Sequence, residues 1–355
     1  MWRRSSIAMV VVTLGILTLV TASCAPSAPS GGATTPGSAG GQPEYTWRMA
    51  CENPIGTEKA DLAVLAIEDI HKVSQGRIKI DFYPAAQLGS WEEAYGHLIR
   101  GTIDVASTNL TAPTWDPRLQ ALTMPCLYSD FEAAREAWST GGFVYELAQD
   151  LDRQIGLMNL GPIIGGWDTL VFAKPINFDP GDPDSDKKGT LIRYMGGSEV
   201  HRLYLERYGF AVTTVPWADL YMALQTGVVD GYVGGAAEDA WNTFRDVAKS
   251  IYLNRYRVFG SAFLMNLDLW ESLPPDIQDL VFSSFQKQSK AAFDRQLAKE
   301  LEVVGAMKSA GWQVKETTKA EWDVLAGIAY AEVWPKLAPT IGRATTERLL
   351  AQIQQ

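Results

Sequence analysis

The sequence offers few histidines or acid pairs that could act as a catalytic acid or base. His71, His97 and His201 are the three histidines, and each falls in a segment predicted as a helix among polar or charged neighbours. We therefore predict solvated or half-buried histidines rather than a tuned catalytic base. The acidic pairs Glu92-Glu93 and Glu238-Asp239 are adjacent in sequence, so on a helix their side chains would point in different directions.

The sequence also lacks the motifs of the common enzyme classes. It contains no G-x-S-x-G nucleophile elbow, no H-E-x-x-H zinc motif, no P-loop and no G-x-G-x-x-G dinucleotide motif. Three cysteines and three histidines exclude a metal cluster of the Cys/His kind. Outside the cytoplasm Cys51 and Cys126 could pair or stay free. A secreted hydrolase remains an alternative only if a nucleophile meets a nearby base in the fold.

The first residues indicate where the protein works. Residues 1–23 combine a short basic start with an apolar run over residues 7–20, which is the layout of a secretory signal peptide. The run is too short for a membrane span, which needs ~20 residues. Cys24 follows Thr21-Ala22-Ser23, as in a bacterial lipobox, so we predict that its thiol is lipidated and anchors the protein to the membrane. Ordinary signal cleavage beside an incidental cysteine is the alternative.

Residues 24–43 form the predicted linker, which is uncharged and consists almost entirely of Ala, Pro, Ser, Gly and Thr. Such a segment buries too little surface to order itself and is typical of a flexible tether. The net charge of −10 becomes −12 when the leader with Arg3 and Arg4 is removed. An acidic body argues against nucleic acid as a partner, but it leaves room for an anionic ligand beside a local cation.

The body is long enough for two domains. In the first domain (44–165), strands at 45–51, 77–84, 102–108 and 156–163 alternate with helices at 57–76, 90–101 and 129–154, and Gly141-Gly142 interrupts the last helix. In the second domain (166–259), strands at 168–176, 190–195 and 211–216 alternate with helices at 198–209 and 217–227, and a strand follows over 228–235. A polar loop at 177–189 interrupts this series.

The remaining residues, 260–355, are predicted to return to the first domain, with about 260–310 completing it. Extended segments at 251–270 lead into one long helix at 277–311, followed by the strand WQVKETT and further helices. Alternating strands and helices predict α/β domains with mostly parallel sheets, joined by more than one crossing of the chain.

The stretch ALQTGVVDG (223–231) has a structural interpretation. Gly227 is expected to end a helix, Val228-Val229 to enter a strand, and Asp230-Gly231 to turn the backbone near a cleft. The stretch would then position its flanking residues, Trp217 and 232–235, at that cleft.

Three segments together resemble the solute-binding proteins of tripartite ATP-independent periplasmic (TRAP) transporters. They are SQGRIKIDFYPAAQLGSWEEAYGHLIRGTIDVA (74–106), KKGTLIRYMGG (187–197) and VPWADLYMALQTGVVDGYVGG (215–235), and NLDLWESLPPDIQDLV (266–281) matches in style and place. The resemblance extends in order from about residue 45 to 335.

The resemblance implies a two-domain α/β fold like that of periplasmic binding proteins, with crossing strands and a long connecting helix. It implies no catalysis and no cofactor. Such proteins bind a small organic acid outside the cytoplasm, in the periplasm or at the cell surface, and deliver it to membrane permease subunits. We expect a monomer. A sensor that signals to a membrane receptor is an alternative that the sequence leaves open.

Residue by residue, the resemblance places Arg193 at the family's hallmark arginine, which grips the ligand carboxylate with two hydrogen bonds. Its planar, permanently charged guanidinium suits that contact. Trp217 falls where the family places an aromatic side chain against the ligand, and Asn109 falls at a polar pocket position.

Two departures from the family point to a different ligand. Sialic-acid-type members carry a second arginine before the KPI segment, where this chain has Trp167 or Asp168. Many members have Glu-Asn-Pro after VDG, where this chain has Tyr232-Val233-Gly234-Gly235. With Trp167, Asp168 and Tyr232 we predict an aromatic, less cationic pocket that suits a monocarboxylate. Asp168 could bind a ligand hydroxyl or amine or a bridging cation, or lie solvated at a strand edge.

Overall fold

The structure is a computed structural model that describes residues 42–187 and 189–353. The predicted signal peptide, Cys24 and the linker up to residue 41 lie outside the described residues. Within the described ranges, every helix is too short or too polar to cross a membrane.

The strands of the two sheets follow one another along the chain in an order close to the predicted one. They are β1 (Tyr45–Cys51), β2 (Ile78–Tyr83), β3 (Val105–Asn109), β4 (Leu157–Trp167), β5 (Leu170–Phe172), β6 (Leu191–Tyr194), β7 (Ala211–Thr214), β8 (Gly231–Val233), β9 (Ser250–Leu253), β10 (Val258–Asn266) and β11 (Gln313–Glu316).

The helices cover the sheets and connect them. They are α1 (Glu58–Val73), α2 (Trp91–Ile99), α3 (Phe131–Trp138), α4 (Phe143–Gln154), α5 (Glu199–Arg207), α6 (Leu220–Thr226), α7 (Ala237–Phe244), α8 (Leu267–Ser272), α9 (Pro275–Ser309), α10 (Lys319–Ile328), α11 (Trp334–Ile341) and α12 (Arg343–Ile353). A 3-10 turn at Trp217–Asp219 precedes α6, because Pro216 fixes the chain just before it.

The first sheet has the strand order β2-β1-β3-β10-β4. β1 pairs in parallel with β2 and β3, as strand–helix–strand units require. β10 lies antiparallel between β3 and β4. The predicted alternation of strands and helices in this part of the chain is confirmed. α2 begins with a full capping box, in which Ser90 and Glu93 bond to each other's backbone N–H groups.

The second sheet has the strand order β11-β9-β5-β8-β6-β7. β6 pairs in parallel with β7 and β8, while β5 is antiparallel to β8 and β9. β11 pairs in parallel with β9. The prediction that all of 260–355 returns to the first domain is therefore wrong at β11, because the edge of β9 offers residues 313–316 a ladder of backbone hydrogen bonds.

Two crossings and one helix connect the sheets. The chain leaves the first sheet between β4 and β5, at Asp168 and Thr169, and returns between β9 and β10, at residues 254–257. α9 contacts β4 and α1 beside the first sheet, and α7 and β11 beside the second. This confirms the α/β fold with crossing strands and a long connecting helix.

The core consists of three apolar clusters. One lies between the first sheet, α1 and α9, where the rings of Phe263 and Phe285 are 4.7 Å apart. A second packs the second sheet against α6, α7 and the end of α9. The third includes residues of both sheets and of the C-terminal helices. Cys51 and Cys126 are both buried and free.

Candidate functional site

A cleft between the two sheets contains two adjoining cavities. The inner chamber, of about 40 Å³, is lined by Glu52, Asn53, Lys59, Trp91, Asn109, Arg193, Met195, His201, Trp217, Gly234, Arg257 and Phe259. The outer chamber, of about 290 Å³, shares Glu52, Asn53, Lys59, Trp217 and Phe259 with it and adds Glu58, Glu238 and Asp239 among others. Because the lining comes from elements of both sheets, a ligand in the cleft would touch both.

Arg193 presents a guanidinium to the inner chamber from the second sheet. It lies on β6 opposite Thr213 of β7 and Tyr232 of β8. Its Nε donates to the carbonyl of Val215 at 2.7 Å and its Nη1 to that of Val233 at 3.4 Å. These two backbone contacts hold the side chain in one direction.

The charge of Arg193 has no ion-pair partner in the part of the chain that the structure describes. The side chain is only 4% exposed, and burial lowers its pKa to about 10, which still leaves it protonated at neutral pH. Among the described residues, no acceptor lies on Nη2 and no acid forms a salt bridge with the guanidinium. A buried charge in this state favours an anion brought by a ligand.

Trp217 and Asn109 lie at the same chamber, on opposite sides of the cleft. The centre of the Trp217 ring is 5.7 Å from the guanidinium carbon of Arg193, close enough for a cation–π contact. Trp217 in turn packs edge-on against Phe244. Asn109 ends β3, and its carbonyl accepts the hydroxyl of Tyr95 at 2.8 Å. The structure thus brings Arg193, Trp217 and Asn109 together.

Trp167 and Tyr232 lie away from the cavity surface, which corrects the prediction that they wall the pocket. Trp167 is buried at the end of β4 against Phe131, with the ring centres 6.5 Å apart. Tyr232 is fully buried behind Trp217, with ring centres 5.9 Å apart. Both rings are covered by other aromatic side chains, Trp167 by Phe131 and Tyr232 by Trp217 and Phe244, and neither lines a chamber.

Asp168 is fully buried and does not line the inner chamber. The predictions that it contacts the ligand or a bridging cation, or lies solvated at a strand edge, are therefore wrong. Its Oδ2 lies 2.6 Å from Nε of Arg257 and 2.7 Å from Nε2 of His201. Its Oδ1 accepts the N–H of Gly235 at 2.8 Å. Asp168 and the glycine pair Gly234-Gly235 belong to the two segments in which this chain departs from the family pattern. The bond to Gly235 therefore joins these two segments directly.

His201 is also fully buried, and the prediction of a solvated or half-buried side chain is wrong. Burial, aided by the charge of Arg257, lowers its pKa to about 4, so the ring is neutral at pH 7. A neutral ring that donates from Nε2 to Asp168 leaves Nδ1 as an acceptor. That nitrogen has no partner among the described residues.

The inner chamber is more cationic than the sequence suggested. Arg257 lines it at 6% exposure, and its Nη1 donates to Oγ1 of Thr123 at 3.1 Å. Lys59 lines it too, with Nζ 4.5 Å from the centre of the Phe259 ring. Arg257 reaches the site from the crossing before β10, far away in sequence, and the carboxylate of Asp168 offsets its charge. No cluster of three or more potential metal ligands occurs in the described ranges.

Four residues that line the cleft were not predicted from the sequence, namely Lys59, His201, Arg257 and Phe259. One signal was available, because Asp168 interrupts a long apolar run and a buried carboxylate requires a cation or hydrogen-bond donors. A buried aspartate predicts that a cation or a hydrogen-bond donor lies beside it. It does not predict which residue this is, since Arg257 is far along the chain.

Comparison with known proteins identifies the family of this chain. A family model described as bacterial extracellular solute-binding protein, family 7, matches residues 52–336. The sialic acid-binding periplasmic protein SiaP of Vibrio cholerae is 23% identical over 270 residues, which cover 76% of this chain and 82% of that protein. The C4-dicarboxylate-binding periplasmic protein DctP of Rhodobacter capsulatus is 22% identical over 308 residues, which cover 85% and 88%.

Solved structures share the fold. A TRAP periplasmic solute-binding protein from Ochrobactrum anthropi, with its C-terminus bound in the ligand-binding pocket, superposes with a TM-score of 0.77 at 21% identity, covering 88% of this chain and 95% of that one. One from Desulfovibrio salexigens with bound orotic acid has a TM-score of 0.76 at 19% identity, covering 87% and 98%. The chain therefore belongs to family 7 of the bacterial extracellular solute-binding proteins, the solute-binding components of TRAP transporters, and is not an enzyme.

Proposed function

We propose that this protein binds a small organic acid in the cleft, with the ligand carboxylate held by Arg193, and delivers it to the permease subunits. The observation that carries the proposal is the buried guanidinium of Arg193, which lines the inner chamber and forms no salt bridge among the described residues. The planar fork matches the two oxygens of a carboxylate. Trp217 would support the guanidinium face, and Asn109 would offer a polar contact from the first sheet.

The size of the inner chamber supports a single carboxylate at this end of the ligand. A volume of about 40 Å³ holds roughly three water molecules, which is also the scale of one carboxylate group. The rest of the ligand would occupy the outer chamber. Structural relatives bind acids as different as D-erythronate, succinate and orotic acid. We propose a monocarboxylate, because the inner chamber offers one guanidinium that lacks a protein anion.

The proposal extends to the cellular setting. A lipidated Cys24 would anchor the body at the extracytoplasmic face of the membrane through the tether at 24–43. The protein would work there as a monomer, which sedimentation equilibrium can test. No ligand-bridging cation is required, because Arg193 itself supplies the positive charge.

The test of the carboxylate clamp compares ligand binding by the wild-type protein and Arg193→Ala. A thermal-shift screen of the full-length protein against mono-, hydroxy-, 2-oxo- and dicarboxylates would find the ligand, since a ligand at a hundred times Kd stabilises the fold by ~2.7 kcal/mol. Calorimetry should then show Kd at least ~100-fold weaker in Arg193→Ala, because charged hydrogen bonds contribute ~1.5–3 kcal/mol each.

The matched control is Arg343→Ala, which removes an exposed arginine at the start of α12. It should leave Kd unchanged. Arg193→Lys should restore part of the affinity, because it keeps the charge but loses the planar fork. Unchanged acid binding in Arg193→Ala would show that the carboxylate clamp is wrong.

A further inference from the structure

The outer chamber carries an unusual concentration of carboxylates. Glu52 follows β1, Glu58 lies in the first turn of α1, and Glu238 and Asp239 lie in the first turn of α7. We call these four residues the acidic wall. Within the described residues, none of their oxygens lies within 4.0 Å of a lysine, arginine or histidine nitrogen.

Among the described residues no cation forms an ion pair with this wall, and the charges of Lys59, Arg295 and Lys299 only partly offset the burial that raises the pKa of its glutamates. Lys59 lines both chambers, but its Nζ lies over the ring of Phe259. Lys299 of α9 pairs with Glu302 at 3.6 Å, and Nε of Arg295 donates to the carbonyl of Ala291 at 3.1 Å. The polar contacts of the wall are weaker than ion pairs, such as the bond from Nδ2 of Asn242 to Oε1 of Glu238 at 3.2 Å.

The surroundings make ionised carboxylates in the wall costly. Burial raises the pKa of Glu58 to about 7, and the charge of Glu238 adds to this effect. Burial likewise raises the pKa of Glu52 to about 6 and also raises that of Glu238. A cation placed in the outer chamber would relieve both the desolvation and the mutual repulsion of these groups.

The opposite end of the same cleft shows independently that a ligand is expected there. Arg193 is 4% exposed, and its Nη2 has no acceptor among the described residues. Nδ1 of His201, a second lining residue, is buried without a partner in the same part of the chain. The cleft therefore has a cationic inner end and an anionic outer end.

We propose that the ligand is zwitterionic, with its carboxylate on Arg193 in the inner chamber and a cationic nitrogen against the acidic wall in the outer chamber. This inference rests on the proposed function and names its ligand class. The aromatic residues shared by the two chambers fit the proposal, since Phe259 already carries the ammonium of Lys59 on its face at 4.5 Å. A metal ion is the weaker occupant, because no group of three or more potential metal ligands occurs in the described ranges.

The test uses pairs of probes that differ only in the amino group. The probes are 4-aminobutyrate with butyrate, 5-aminovalerate with valerate, and 6-aminohexanoate with hexanoate, each titrated into the full-length protein at pH 8 by calorimetry. We expect at least one zwitterion to bind at least 10-fold more tightly than its partner acid. Glutarate and adipate, with a second carboxylate in place of the amine, should bind more weakly than either.

Two variants assign the preference to the acidic wall. In the double variant Glu58→Gln/Glu238→Gln the ratio of Kd values within a probe pair should fall towards one, while binding of the simple acid is retained or strengthened. Retained acid binding also shows that the variant is folded. Glu132→Gln, an exposed glutamate of α3, is the control and should leave the ratio unchanged.

The outcomes separate the zwitterion inference from the proposed binding of a carboxylate by Arg193. Equal or stronger binding of the simple acids or of the diacids, lost in Arg193→Ala, overturns the zwitterion inference and leaves the carboxylate clamp standing. A zwitterion preference that survives in Glu58→Gln/Glu238→Gln overturns the role of the wall. Binding that is indifferent to Arg193→Ala contradicts the proposed function and, with it, this inference.

Discussion

The two buried arginines of the cleft have opposite environments. Arg257 faces the carboxylate of Asp168 at 2.6 Å, so its charge is neutralised within the protein. Among the residues that the structure describes, Arg193 bonds only to backbone carbonyls, so its charge is left for a ligand. Residue type alone cannot distinguish the two roles, because they depend on which side chains lie within a few ångströms.

Asp168 is expected to be the most sensitive acid in the fold. Asp168→Ala would leave Arg257 buried without its counter-charge and would remove the acceptor of the Gly235 N–H and of His201. Breaking one partner of a buried ion pair costs about 3–5 kcal/mol. Urea unfolding should therefore show a much lower midpoint with an unchanged slope.

Asp184→Ala, in the exposed loop before β6, is the control for this experiment and should change stability by less than about 0.5 kcal/mol. A loss of under about 1 kcal/mol in Asp168→Ala would contradict the view that its carboxylate neutralises Arg257.

At the scale of elements, α6 and β8 show how a short stretch positions the site. α6 ends at Gly227, whose φ of 75° is left-handed, as predicted from sequence. The backbone bends at Asp230, but the strand begins only at Gly231, so Val228-Val229 precede the strand instead of entering it as predicted. The N–H and carboxylate of Asp230 bond to the backbone of Leu191, both at 2.8 Å, and Gly231 then begins β8. This clamp fixes β8 beside β6, the strand that carries Arg193.

Gly231 is expected to tolerate no side chain. A Cβ at this position would lie 2.3 Å from the carbonyl oxygen of Val171 on β5, which is backbone and cannot rotate away. Gly231→Ala should destabilise the fold by about 1–3 kcal/mol, the typical effect of overpacking. Thermal unfolding with circular dichroism would measure this loss.

Gly196→Ala is the matched control, because nothing lies within 4 Å of a Cβ built there. It should leave the midpoint within a degree or two of wild type. Equal midpoints for the two variants would show that β8 can move away from β5 at little cost.

In the whole molecule, the chain passes from one sheet to the other at residues 168–169 and 254–257, beside the cleft, and again through α9. Asp168 and Arg257 both lie in these crossings, so the ion pair beneath the inner chamber also ties the two crossings together. α9 contacts both sheets and limits how far they can separate. A ligand that touches Arg193 and Asn109 would stabilise the arrangement in which the sheets are close.

The predicted anchor belongs to this scale as well, since delivery to a permease is favoured when the protein is held at the membrane. Cys24→Ser should move the protein from the membrane fraction to the soluble fraction, because two or more acyl chains are needed for stable anchoring and none could then be attached. Fractionation of cells expressing each form would measure this, and membrane release of the wild-type protein would contradict lipidation.

Most of the secondary structure and the family could be predicted from the amino-acid sequence. Periodicity and capping residues gave the alternation of strands and helices, because these patterns act over a few neighbouring residues. The resemblance to TRAP solute-binding proteins placed Arg193, Trp217 and Asn109 at a common site, and all three line the inner chamber.

Tertiary structure decided the rest. β11 pairs with β9, and Asp168 meets Arg257, although the residues are tens of positions apart in sequence. The burial of His201 likewise depends on distant parts of the chain. Local pattern carries no information about such contacts, because burial and electrostatic partners depend on how the sheets and crossings pack. The acidic wall has the same origin, since its members follow β1, begin α1 and begin α7, and only folding collects them at one cavity.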